Sequence, residues 1–61
     1  MKSDLIDIAV QVKGETQSAY YVYDGKRTEW VPKSQVELDI VGKSSAILTL
    51  PVWLATEKGF I

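Results

Sequence analysis

Tyr20, Tyr21, Tyr23 and Trp30 place four aromatic rings within eleven positions, with Lys26 and Arg27 between them and Lys33 just beyond. Rings on a sheet surface can stack the bases of single-stranded nucleic acid. They can equally anchor a protein partner, because large rigid rings bury much area at low entropic cost. Cations beside the rings complete a minimal pattern for holding a phosphate backbone. The same residues have plainer uses. A small domain needs Trp and Tyr for its core, and Trp30 reads first as a core residue. Lys26-Arg27 reads first as a solvated hairpin tip. Three tyrosines and a tryptophan nevertheless exceed what one face of so small a core can cover, so at least one Tyr ring is expected at the surface.

Other chemistry is poorly supplied. Glu37 and Asp39 lie two apart on an expected strand and so point the same way. Such a pair can move protons or hold a cation, but alone it reads as a wet strand face. Ser34 has only Lys33 beside it as a base, and a Ser-Lys dyad needs a cleft. The chain contains neither His nor Cys, which removes structural zinc, iron–sulfur clusters, disulfides and thiol or Ser-His-Asp nucleophiles. No catalytic residue, metal ligand or cofactor site is expected.

The elements that must position the aromatics follow from period and punctuation. Ile6, Ile8, Val10 and Val12 alternate, predicting a strand over 5–12, and Lys13 to Gln17 reads as a polar turn. A second strand is expected at 18–23 and a third at 26–31, joined by Asp24-Gly25, a strong hairpin signal because Gly accepts positive φ. An even loop puts Ala19, Tyr21, Tyr23, Thr28 and Trp30 on one face and Tyr20, Val22, Arg27, Glu29 and Val31 on the other. Pro32 donates no ladder bond, so it ends the third strand or marks an edge. Strands at 36–41 and 46–50 follow, the first with Val36, Leu38 and Ile40 aligned, the second with Ala46, Leu48 and Leu50. Pro51 then opens a short helix over 51–58. Gly59 suits its left-handed stop and Phe60 packs back on the last turn. Trp53 and Leu54 are expected to dock that helix, unless Trp53, Phe60 and Ile61 form an exposed patch.

These elements predict one mainly β domain spanning residues 1–61. The expected fold is a small five-stranded antiparallel SH3-like or OB-like barrel or curved sheet with one short C-terminal helix. Sixty-one residues bury only about 60% of their unfolded surface, which leaves little room for a pocket beside a core. Seven Lys plus Arg against eight Asp plus Glu give a net charge of −1, without the basic excess of a duplex-DNA binder. No apolar run is long enough to span a membrane, and Met1-Lys2-Ser3-Asp4 is not the start of an export signal, so a cytoplasmic location is expected.

Two segments carry a resemblance. Trp30-Val31-Pro32-Lys33-Ser34-Gln35-Val36 and Leu50-Pro51-Val52-Trp53-Leu54-Ala55-Thr56-Glu57-Lys58-Gly59-Phe60-Ile61 resemble a group of short, mostly uncharacterised phage and prophage proteins. Members of that group pair a W-V/I-P-K-S-Q segment after a hairpin with a closing L/V-P-x-W-L-x-x-x-K-G segment. The resemblance covers about residues 19–61 and implies a phage-derived accessory protein. It implies no activity, cofactor or catalytic residue.

The expectation from all of this is a non-enzymatic module that binds a protein, such as a host factor, through Tyr20, Tyr21, Tyr23, Lys26, Arg27, Trp30 and Lys33. The alternative is a weak binder of single-stranded nucleic acid using the same residues. A homodimer through an edge strand or the Trp53-Phe60-Ile61 patch is left open.

Overall fold

Alternation of apolar and polar residues produces five strands, and a change to helical period produces the helix. The computed structural model describes residues 4–61; residues 1–3, part of the segment weighed as an export signal, lie outside it. In chain order the elements are β1 (Leu5–Glu15), β2 (Ala19–Tyr23), β3 (Thr28–Pro32), a 3₁₀ turn (Lys33–Gln35), β4 (Glu37–Ile40), β5 (Ser45–Pro51) and α1 (Val52–Lys58). The strands form one sheet in the order β3-β2-β1-β5-β4, with every neighbouring pair antiparallel. The mainly β architecture with a short C-terminal helix is as expected.

β1 serves two hairpins at different points along its length. Residues Leu5 to Gln11 pair with β5, and Gln11 to Glu15 pair with β2, so Gln11 alone belongs to both registers. The chain leaves β3 at Pro32, on one border near the Glu15 end of β1. It enters β4 at Glu37, on the other border and level with Asp7. In a flat sheet those borders would stand four strand spacings apart, about 19 Å, with most of β1 in addition. Five Cα steps reach at most about 19 Å, and the 3₁₀ turn shortens them. The sheet must therefore fold over across β1. The register shift between Val12 and Gly14 marks the place, with Lys13 as the extra residue. The fold stops short of a closed barrel: β3 and β4 remain borders, and an open curved sheet is the outcome.

The concave side holds the core. Val10, Val22, Val31, Ala46, Leu48 and Leu50 are buried there and are covered by Leu54 and Ala55 of α1. Ile6, Ile8, Val12, Tyr20, Val36, Leu38 and Phe60 pack around them half-buried. Val22, Val31, Leu48 and Leu50 are the largest fully buried side chains, each worth about 1.5–3 kcal/mol of transfer free energy.

Several boundaries differ from expectation. Lys13 to Glu15 continue β1 rather than open a turn, because the bulge lets Gly14 and Glu15 pair with Tyr21 and Tyr20. Lys26 and Arg27 belong to the turn rather than to β3, since both of their N–H groups donate to Asp24 Oδ1 at 2.9 Å. The remaining strand ends move by one residue, and β4 reaches only Ile40. Ile40 is 57% exposed because it lies on the short border strand beyond cover. Pro51 closes β5 and stands before the helix, with φ −64° and ψ 146°, so α1 starts at Val52. At the other end Gly59 is left-handed (φ 82°), its N–H donates to Thr56 O at 3.1 Å, and Phe60 N–H donates to Ala55 O at 2.8 Å. That is the expected stop, with Phe60 turned back on the core.

Trp53 does not dock the helix. It is 56% exposed, whereas Leu54 and Ala55 are buried. A two-turn helix has one narrow inward stripe, and the small Ala55 lets it approach the sheet closely. Trp53, about 100° round from Leu54, points away. Trp53 and Ile61 are both exposed, but Phe60 faces inward, so the three do not form one patch.

Candidate functional site

The β2–β3 hairpin is built by Asp24 and Gly25. Asp24 Oδ1 collects the N–H groups of Lys26 and Arg27, and Gly25 takes φ 105°. The N–H of Arg27 is the main reason, with that of Lys26, that the Asp24 carboxyl is held below its ordinary pKa. The register pairs Ala19 with Pro32, Tyr20 with Val31, Tyr21 with Trp30, Val22 with Glu29 and Tyr23 with Thr28. The even loop thus produces the expected division of faces, and the core takes the Val22–Val31 side.

Tyr21, Tyr23 and Trp30 consequently point outward. Trp30 is 44% exposed, which overturns its reading as a core residue. The fold-over leaves an interior that Val22 and Val31 fill with Tyr20 at its rim, and the rings of Tyr21, Tyr23 and Trp30 go to the convex side. Tyr21 and Trp30 stack with centroids 4.6 Å apart and planes 29° from parallel. Their closeness follows from the ladder, because a directly opposed pair that exchanges no main-chain bonds has the nearer α-carbons. Such a stack adds about 0.5–1.5 kcal/mol beyond area burial and holds both rings in place. Tyr23 donates its hydroxyl proton to Gly25 O at 3.0 Å, tying that ring to the turn. Lys13 Nζ stands 5.6 Å from the Tyr23 ring centre. Gly14, opposite Tyr21, would bring an added Cβ to 3.7 Å of Tyr21 Cβ, so the surface beside the stack is low.

The other expected site residues lie apart from this surface. Tyr20 is on the concave side, half-buried against the core. Lys33 Nζ sits 4.9 Å from the Tyr20 ring centre and 2.5 Å from Glu15 Oε2. Arg27 is paired with Glu29, Nη2 to Oε2 at 3.1 Å, and reaches across to Gly59 of the helix end. Lys26 is exposed at the tip. The seven residues therefore separate into an outward group (Tyr21, Tyr23, Trp30), a concave rim (Tyr20, Arg27, Lys33) and Lys26 between them. Lys13 and Glu15 were missed by sequence reasoning. The available signal was Gly14 inside an alternating run, a mark of a bulge.

Glu37 and Asp39 do share a face, level with Thr49 and Ile47 of β5. Asp7, opposite Thr49, accepts its hydroxyl proton at 2.6 Å. Among the described residues no group of three or more potential metal-ligating side chains comes together. No helix of the described residues is long and apolar enough to cross a membrane. Comparison with protein-family models, curated proteins and solved structures returns no match.

Proposed function

We propose that this chain is a non-enzymatic phage or prophage accessory protein that binds a protein partner through the outward face of β2 and β3. One observation carries the reading: Trp30, the largest side chain of the hairpin, is exposed and pre-stacked on Tyr21 when a core site was its plainer use. An immobilised aromatic pair is a low-entropy anchor, since little freedom remains to be lost on binding. Tyr23 extends the same surface. Balanced charge favours a protein over a polynucleotide, and pairing of Arg27 with Glu29 and of Lys33 with Glu15 removes two of the cations that nucleic-acid binding would use. The resemblance to phage and prophage proteins makes a cytoplasmic bacterial host factor the partner to seek.

The test is affinity capture from bacterial lysate, with and without nuclease, using wild type, Trp30→Ala and Trp53→Ala. A discrete partner that survives nuclease, is lost with Trp30→Ala and is kept with Trp53→Ala is the expected result. A partner indifferent to Trp30→Ala overturns the reading. A partner that vanishes with nuclease replaces it with nucleic-acid binding.

A further inference from the structure

β3 is a border strand, and the phase of its ladder states which groups are free. Asp24 N–H donates to Arg27 O at 3.2 Å and Lys33 N–H to Ser18 O at 2.8 Å. In the alternation of an antiparallel pair, Arg27, Glu29, Val31 and Lys33 therefore turn their main-chain groups toward β2. Thr28 and Trp30 aim N–H and C=O away from the sheet. Pro32 occupies the next outward position and has no N–H to offer, which limits any ladder to the few residues around Trp30.

Charge along this border is one-sided. Arg27 and Lys33 are paired with Glu29 and Glu15, and the Asp24 carboxylate is turned onto the N–H groups of its own turn. Lys26 at the tip makes no ion pair among the described residues, and neither does Lys13, which lies two strands in from this edge on β1. The opposite border, β4, carries Glu37 and Asp39 along the strand itself, which make no ion pair among the described residues, with the exposed Lys43 only in the turn beyond its end. An acidic strand is thus drawn to β3 and repelled from β4.

We infer that the open edge of β3 takes up a short, extended, acidic segment of the partner as an added strand. This rests on the protein-binding reading. Main-chain bonds to Thr28 and Trp30 supply the ladder. A β-branched or aromatic residue opposite Trp30 lies on the Tyr21–Trp30 stack, and a carboxylate at the turn end meets Lys26.

The test uses the isotope-labelled protein and the capped peptide Asp-Asp-Thr-Val-Thr-Val-Thr, with a version carrying Lys for both Asp and one carrying N-methyl groups at both Val. Amide hydrogen exchange at Thr28 and Trp30 is measured together with the Trp30 indole shift. About tenfold slower exchange at both amides, with weaker effects from both altered peptides, is expected. An indole shift with unprotected amides means that the segment lies on the rings without joining the sheet. That overturns strand addition and leaves the protein-binding reading standing. No response at millimolar peptide also overturns it. Sedimentation of the protein alone that shows mass rising with concentration assigns the edge to another copy, whose β4 has the same acidic alternation, and overturns the foreign segment. The N-methyl peptide leaves the protein untouched, so the conclusion does not depend on a variant folding.

Discussion

The guanidinium of Arg27 lies over the α-carbon of Gly59, where a Cβ at position 59 would collide with Nη1 and come within 3.0 Å of Cζ. The contact joins the β2–β3 turn to the end of α1 and places a cation where the helix leaves its carbonyls exposed. Gly59 also holds φ 82°, which costs any other residue about 1–2 kcal/mol. Gly59→Ala is expected to lose about that much in urea unfolding. The guanidinium is the mobile end of a half-exposed side chain and can swing aside, so an Arg27→Ala background should show much the same loss. A clearly smaller loss in that background would show instead that the guanidinium is held in place against Gly59.

Asp24 makes stability depend on pH. Its folded pKa is lowered, first by the Arg27 N–H, from an ordinary value of 3.8. A lowered folded value means that the stabilisation is complete above the unfolded-state pKa and disappears as pH falls through the folded one. Asp24→Ala should be less stable than wild type at neutral pH, and the gap should narrow in acid. Thermal melts of both proteins across that range measure it; a gap that widens in acid contradicts the assignment.

Leu48 is fully buried where β5 crosses the concave side. Leu48→Ala should cost about 2–5 kcal/mol. A chain of this length has about 3–9 kcal/mol in all, so the variant should lose a large share of its stability and unfold at a much lower denaturant concentration. Trp53→Ala, despite the larger deletion, should cost about 1 kcal/mol or less because the ring is mainly in solvent. Denaturant midpoints rank the two. The reverse order would mean that Trp53 is the helix anchor after all.

Trp30→Ala should keep the fold while removing the stack, at about 0.5–1.5 kcal/mol. The near-ultraviolet circular dichroism of the coupled rings should collapse while the far-ultraviolet spectrum stays. Tyr21→Ala should produce the same spectral loss. An unchanged aromatic signal in either variant would mean that the rings are not coupled in solution.

How far residues foretold this arrangement depends on what each one needs. Asp24-Gly25 and Gly59-Phe60 are local devices, satisfied by bonds within a few residues, and they read directly from the chain. Ala46, Leu48 and Leu50 alternate cleanly, and their face is buried. The hairpin's parity was also legible, because an even loop fixes it. Its inward face was not, since Tyr21, Tyr23 and Trp30 are the more apolar set and yet lie outside. What decides is interior width, set by how sharply β1 folds over, and that depends on β5 and α1 far along the chain. Lys13 illustrates the same gap: it becomes a bulge residue only when Glu15 finds Tyr20. Arg27 and Glu29 share parity with the core: Glu29 is half-buried opposite the fully buried Val22 and holds the guanidinium of Arg27, which reaches to the helix end.

The double service of β1 sets the order in which the chain can assemble. The β2–β3 and β4–β5 hairpins join near neighbours in sequence, and each can close quickly. The first half of β1 has no such partner: Leu5 waits for Pro51 and Gln11 for Ser45. That closure bears the largest loop entropy in the molecule and comes before the contacts that reward it. On the ribosome, the apolar stripe Ile6-Ile8-Val10 emerges before its partners Ala46, Leu48 and Leu50 and stays uncovered on that side until they follow. Folding speed should accordingly respond most to changes where β1 meets β5, and the chain should be most prone to aggregate during the interval before that seam closes.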